Sequence, residues 1–234
     1  NGALTAFSLD SLTTAGEIGI TGNGALTSFS LDGLTTIAGN LHITENSALT
    51  SFTLDSLTTV GEALHITDNS ALDFAGLDSI TTIGGHLEIF RNTALTSPSL
   101  DSLLTVPQIE IGGNNLTSLS LGSLTETVVF SVGSEHSLTS FAIDNLITVH
   151  YISINANPIL TSFSFDSLTH INMGLGLWAN PVLTSFSFDS LEYVAEVDFF
   201  GPGSMPSLCA SVVEDLCEVT HRDCPDPWDF DYSC

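Results

Sequence analysis

The sequence predicts an all-β protein: a parallel β-solenoid of about nine coils, each 21–23 residues long, closed by a short C-terminal helix. Three observations predict it. The stretch 46–67, NSALTSFTLDSLTTVGEALHIT, recurs along the chain. Its register leucine returns at Leu4, Leu26, Leu49, Leu72, Leu95, Leu116, Leu138, Leu160 and Leu183. Two parts of each unit alternate apolar and polar residues with period two, as a strand with one face inward must.

The first alternating part is F-x-L or F-x-F, as in Phe29/Leu31, Phe52/Leu54, Phe163/Phe165 and Phe186/Phe188. An L-D-S-L corner and a threonine pair follow it. The second part is L-x-I, as in Leu41/Ile43, Leu64/Ile66 and Leu87/Ile89. Neither part keeps helical periodicity, and their Thr and Ser residues favour strand or turn. Leu49, Phe52, Leu54, Leu57, Val60, Leu64 and Ile66 are the expected core of the third coil. A unit this small cannot bury its own apolar face; stacked on neighbours about 4.8 Å away, it can. Length changes fall after L-T-T-x-G and between Ile111 and Leu116. Turns absorb such changes, whereas a slip inside a strand would turn the core face outward.

Stacking aligns polar residues into ladders. Asn1, Asn23, Asn46, Asn69, Asn92, Asn157 and Asn180 stand three residues before a register leucine. Gly113 and Glu135 occupy that offset in the sixth and seventh coils, so a break in the ladder is expected there. Asparagine at a solenoid corner bonds nearby backbone and tolerates unusual dihedrals. A second ladder comprises Asp10, Asp32, Asp55, Asp78, Asp101, Asp144, Asp166 and Asp189. It reads as turn caps; its alternative is an edge that binds calcium or another cation. Thr13-Thr14, Thr35-Thr36, Thr58-Thr59 and Thr81-Thr82 form a third, which decays in later coils. Regular hydroxyl arrays are the surface chemistry of ice-binding proteins, and ice binding is kept as an alternative on that ground alone.

The outward residues of the L-x-I strand vary most, so the scaffold does not dictate them. His42, His65, Glu88, Phe90, Tyr151, Trp178 and Phe200 are the candidate binding face. The four aromatics among them form a candidate contact patch. His42 and His65 are expected to lie one above the other and to titrate near pH 6.

Composition excludes several classes. Twenty-seven acidic residues face two basic ones, Arg91 and Arg222, for a net charge of -25. That excludes nucleic acid and an anionic membrane surface as partners. No stretch of about 20 apolar residues spans a bilayer. The chain opens inside a repeat at Asn1-Gly2-Ala3-Leu4, so a mature product or a piece of a longer protein is expected.

The solenoid is expected to occupy residues 1–200 and a cysteine-containing cap residues 201–234. Gly201-Pro202-Gly203 breaks the pattern. Residues 211–219, SVVEDLCEV, carry a capping box and predict the helix that covers the last rung. Cys209, Cys217, Cys224 and Cys234 predict two disulfides of undecided pairing and an oxidising, extracellular setting. Their spacing fits no CxxC zinc pattern. Asn115-Leu116-Thr117 is an N-glycosylation sequon at a turn.

The pattern L-T-x-I-x-G-x-L-x-I-x-x-N-x-x-L, carried by Ile80, Ile83, Gly85, Leu87, Ile89, Asn92 and Leu95, resembles a known group. It is similar to leucine-rich-repeat-like L domains, and more closely to repetitive L-domain-like surface proteins of bacteria and fungal walls. The resemblance covers roughly residues 1–200. It implies a right-handed solenoid, secretion, and a role in adhesion, wall structure or ligand recognition.

No Gly-x-Ser-x-Gly, P-loop or His-Glu-x-x-His motif is present, so no enzyme and no catalytic residue are expected. The expected function is an extracellular or cell-surface structural or adhesive module. Its partner is a surface glycan, a surface protein, or itself end to end in a filament; no cofactor beyond calcium is expected.

Overall fold

The computed structural model describes residues 2–200, with side chains through Asp198. Over this range the chain winds as a right-handed parallel β-solenoid of about eight turns. The nine register leucines mark the coil starts, and eight turns lie between them.

Each coil contributes one strand to each of three walls where the pattern is complete. The F-x-L segments Ala6–Ser8, Ser28–Ser30, Ser51–Thr53 and Phe74–Gly76 form one four-stranded sheet. Ser140–Ala142, Ser162–Ser164 and Ser185–Ser187 resume that wall, and single bridges extend it from Ala142 back through Ser120 to Ser99. The Thr segments Thr14–Ala15, Thr36–Ile37, Thr59–Val60 and Thr82–Ile83 form a second wall. The L-x-I segments build nine strands of the third and largest, a ten-stranded sheet whose tenth strand is Tyr193–Val194. Its central strands are Leu64–Thr67, His86–Phe90, Gln108–Gly112 and Val129–Gly133. All pairings are parallel and nearly all in strict register; one bulge falls between Val149 and Tyr151 opposite Ile171–Gly174.

The core is as the alternation predicts. Leu49, Leu54, Leu57, Val60, Leu64 and Ile66 are fully buried and Phe52 nearly so. Inside, phenylalanines stack coil on coil: Phe7, Phe29 and Phe52 at 5.3 and 5.1 Å, then Phe141, Phe163 and Phe186 at 5.7 and 5.3 Å. Threonine hydroxyls tie successive coils together. Thr35, Thr58 and Thr81 each donate to the carbonyl of the equivalent threonine one coil earlier, at 3.0–3.2 Å. These hydroxyls serve the scaffold.

The asparagine ladder is unbroken, contrary to the break expected at Gly113 and Glu135. Asn114 takes the place in the sixth coil, donating from Nδ2 to the Ile89 carbonyl and accepting from Asn92 N–H at 3.0 Å. Glu135 takes it in the seventh; its carboxylate accepts from Asn114 N–H, Asn114 Nδ2 and Leu116 N–H. The residue deleted from this coil therefore lies between Asn114 and Leu116, after the corner. The residue before each ladder position has a left-handed backbone: Gly22, Glu45, Asp68, Arg91, Gly113, Ser134, Ala156 and Ala179, with φ of 53–67°. Only two of the eight are glycine. Each non-glycine costs about 1–2 kcal/mol in this region, so the buried amide ladder holds the corner against local preference.

At the second corner two stacked glycines, Gly61 and Gly84, let the coils pack closely, whereas Ala38 holds the equivalent place one coil earlier. A Cβ on Gly84 would sit 2.2 Å from the Gly61 carbonyl oxygen, and one on Gly61 would sit 2.1 Å from that of Ala38. Gly84→Ala is expected to cost about 1–3 kcal/mol by forcing adjacent coils apart. A lowered urea midpoint at unchanged slope would show it; an unchanged midpoint would refute the close-contact reading.

Two expectations are corrected or moved aside. Among the described residues there is no helix, so the helical turns usual in leucine-rich repeats are not matched here. The two expected disulfides are corrected: no disulfide bond is found among the described residues. Cys209, Cys217, Cys224 and Cys234, and the expected capping helix at 211–219, lie outside the described residues.

Candidate functional site

The outward face of the ten-stranded sheet holds most of the residues that vary between coils. Alternation sets three columns on it. The central column runs through Gly19, His42, His65, Glu88, Glu110, Ser131, Ser153, Gly176 and Asp198, each paired with the next. A column two residues earlier in each strand includes His86, Gln108, Val129, Tyr151 and Gly174. A column two residues later includes Thr67, Phe90, Gly112 and Gly133, and ends in Asn155, Trp178 and Phe200.

One end of the face is a cluster of imidazoles and carboxylates. The rings of His42 and His65 lie 4.9 Å apart at a 53° tilt, so they are neighbours without stacking face to face. His86 joins them, its ring 5.7 Å from that of His65. Glu88 stands directly across from His65, with Oε2 3.0 Å from Nδ1. Glu17 and Glu110 lie 3.9 Å from His42 and His86 respectively. Gln108 Nε2 donates to Glu110 Oε1 at 2.6 Å. Burial pushes His65 below the ordinary histidine value; Glu88 opposes this, and His42 and His86 add to it. His65, His86 and Glu88 each offer a ligand atom within 4.8 Å of the other two.

The other end is aromatic, and glycines make room for its rings. Tyr151 lies over Gly174, where an added Cβ would meet its ring at 3.3 Å. Trp178 folds over Gly176, where an added Cβ would meet the indole at 2.2 Å and the Tyr151 hydroxyl at 2.8 Å. Tyr151 and Trp178 thus share one patch of bare backbone. Burial, then Asp198 and Glu196, raise the Tyr151 phenol above its usual value. Phe90 does not join them. It lies over Gly112, three rungs from Tyr151 and so about 14 Å away. The side chain of Phe200 lies outside the described residues.

Where its contacts are seen, the aspartate ladder accepts from serine hydroxyls of the strand that precedes the corner. Ser30 donates to Asp10 at 2.5 Å and to Asp32 at 2.8 Å. Ser120 donates to Asp101, Ser164 to Asp144, and Ser187 to both Asp166 and Asp189. The hydroxyls of Ser30 and Ser8 hold Asp10 below the usual carboxylate range. At Asp32, burial works against the charge, but hydroxyls of Thr53 and Ser30 outweigh it and lower the value. Asp55 and Asp78 continue the row.

Asp68 and Arg91, both left-handed corner residues, form a bidentate pair at 2.6 and 2.6 Å. Hydrogen bonding to Arg91 lowers the Asp68 value, although burial opposes it. The pair is exposed and worth at most about 1 kcal/mol. That contribution is present above the ordinary aspartate range and is lost as pH falls through the lowered value. Asn115 is half-buried at its turn, and its amide oxygen accepts from Ser137 Oγ at 2.5 Å.

Sequence reasoning missed His86, Glu17 and Glu110 as members of the histidine cluster. The signal was present in H-L-E-I-F: His86 alternates with Glu88 on one strand face. Starting the strand at Leu87 hid it. No family model matches this chain, and neither a curated protein nor a solved structure matches it.

Proposed function

We propose that this chain is a non-catalytic adhesive repeat module of a cell surface, engaging a surface glycan through the outward face of its ten-stranded sheet. The solenoid is a rigid repeat architecture suited to a structural or adhesive role. The observation that carries the glycan reading is the pairing of Tyr151 and Trp178 over the bare backbone of Gly174 and Gly176. A half-buried aromatic pair suits the apolar face of a sugar ring, and acceptors near Tyr151 such as Asp198 and Glu196 suit its hydroxyls. The acidity of the chain favours a neutral or cationic glycan over an anionic one. Kinship with L-domain-like surface proteins belongs to this reading and rests on the repeat pattern. Among the described residues the coils turn by short corners with no long loops to wall a groove, which supports binding over catalysis.

The test is retention of a panel of neutral polysaccharides by immobilised protein, comparing wild type with Tyr151→Ala and Trp178→Ala. A tenfold or greater loss of retention with an unchanged melting profile is expected. Equal retention by wild type and both variants, or none by any of them, would overturn the proposal.

A further inference from the structure

We infer that His65, His86 and Glu88 form a site for one divalent transition-metal ion of the zinc class on the outward sheet face. Strand geometry creates it. His86 and Glu88 are two apart on the strand His86–Phe90 and point to the same side. Glu88 is the direct cross-strand partner of His65. Two residues on one strand and one opposite give a triangle of donors, with all three ligand atoms within 4.8 Å. Small rotamer changes bring such a triangle to the donor separations of about 3.3 Å that bonds near 2.0–2.1 Å require in a tetrahedron.

A second observation points to a ligand. His86 Nε2 is buried and has no hydrogen-bond partner. Glu110 Oε1, its nearest carboxylate at 3.9 Å, is too distant for a hydrogen bond and is already engaged by Gln108. A buried ring nitrogen without a partner is costly, and coordination would satisfy it. Glu110 stands close enough to serve as a further ligand or to orient His86 through a water.

The donor set chooses the metal. Two imidazoles and one carboxylate suit Zn²⁺, Co²⁺, Ni²⁺ or Cu²⁺. Calcium takes six to eight oxygens and is poorly served here. The three protein donors leave a coordination position open to water or to an incoming ligand. The strongly negative chain concentrates cations near the face. This inference is independent of the glycan platform, which lies toward the opposite end of the sheet.

The test uses the full chain, stripped of metal by chelator and titrated with Zn²⁺ and Ca²⁺ by calorimetry and with Co²⁺ by visible absorption. One equivalent of Zn²⁺ is expected, bound at least a hundredfold more tightly than Ca²⁺, and Co²⁺ is expected to give ligand-field bands. His65→Asn and His86→Asn should each weaken Zn²⁺ at least tenfold and abolish the bands, while Asp144→Asn leaves both unchanged. Absence of saturable Zn²⁺ binding would overturn the inference. So would binding that survives the double variant, which would place the metal on other carboxylates or on the C-terminal cysteines.

Discussion

Asn69→Ala is expected to lower the stability of the solenoid by about 3–5 kcal/mol. The Asn69 side chain is fully buried and serves three coils at once. Its oxygen accepts from Asn46 N–H at 3.1 Å and from Asn46 Nδ2 at 3.2 Å. Its own Nδ2 donates to the carbonyls of Ile43 and Thr67 and to Asn92 Oδ1. Alanine leaves several buried polar groups without partners, each costing about 1–3 kcal/mol before relaxation. Asp68, immediately before it, also loses what holds its left-handed backbone. Because coils contact only their neighbours, the damage should be local. Hydrogen exchange should accelerate first at the amides of Asn46 and Asn69, and the thermal transition should broaden or split. A single transition within about 1 kcal/mol of wild type would show that the ladder is ornamental to stability.

Glu135→Ala is expected to have an effect of similar size, about 3–5 kcal/mol, for a different reason. Here a fully buried carboxylate replaces the amide. It accepts three hydrogen bonds: from Asn114 N–H at 3.2 Å, Asn114 Nδ2 at 2.9 Å and Leu116 N–H at 3.0 Å. Both carboxylate oxygens face donors, so the charge is matched by the backbone corner around it. Alanine strands all three donors in the core. Glu135→Gln removes the charge yet turns an amide NH₂ toward one of those donors, so it too should destabilise, by about 1–2 kcal/mol. Chemical denaturation of the pair at neutral pH checks this. If Glu135→Gln proves more stable than wild type, the buried charge, and not donor satisfaction, governs the position.

Much of the candidate face was legible in the sequence, and its failures are instructive. The outward positions of His42, His65, Glu88, Phe90 and Trp178 followed from alternation, with Tyr151 placed nearby. Their grouping did not. Phe90 and Tyr151 both belong to the variable face, yet three rungs separate them. Tyr151 and Trp178 both reach over Gly176 because the glycine there leaves the backbone bare, and the bulge between Val149 and Tyr151 sets that register. His86 stood one residue outside the expected strand and turned out to complete the histidine cluster.

The sequence by itself determined the coil length, the inward residues and the parallel stacking, because a 22-residue period-two pattern has only one way to hide its leucines. Tertiary structure alone decided which outward side chains meet and how the corner ladder crosses the shortened sixth coil. Counting from Leu116 put Gly113 at the corner; the buried backbone donors there put Asn114. A corner must satisfy its amides before it keeps its distance from the next leucine, and only the stacked neighbour shows where those amides point.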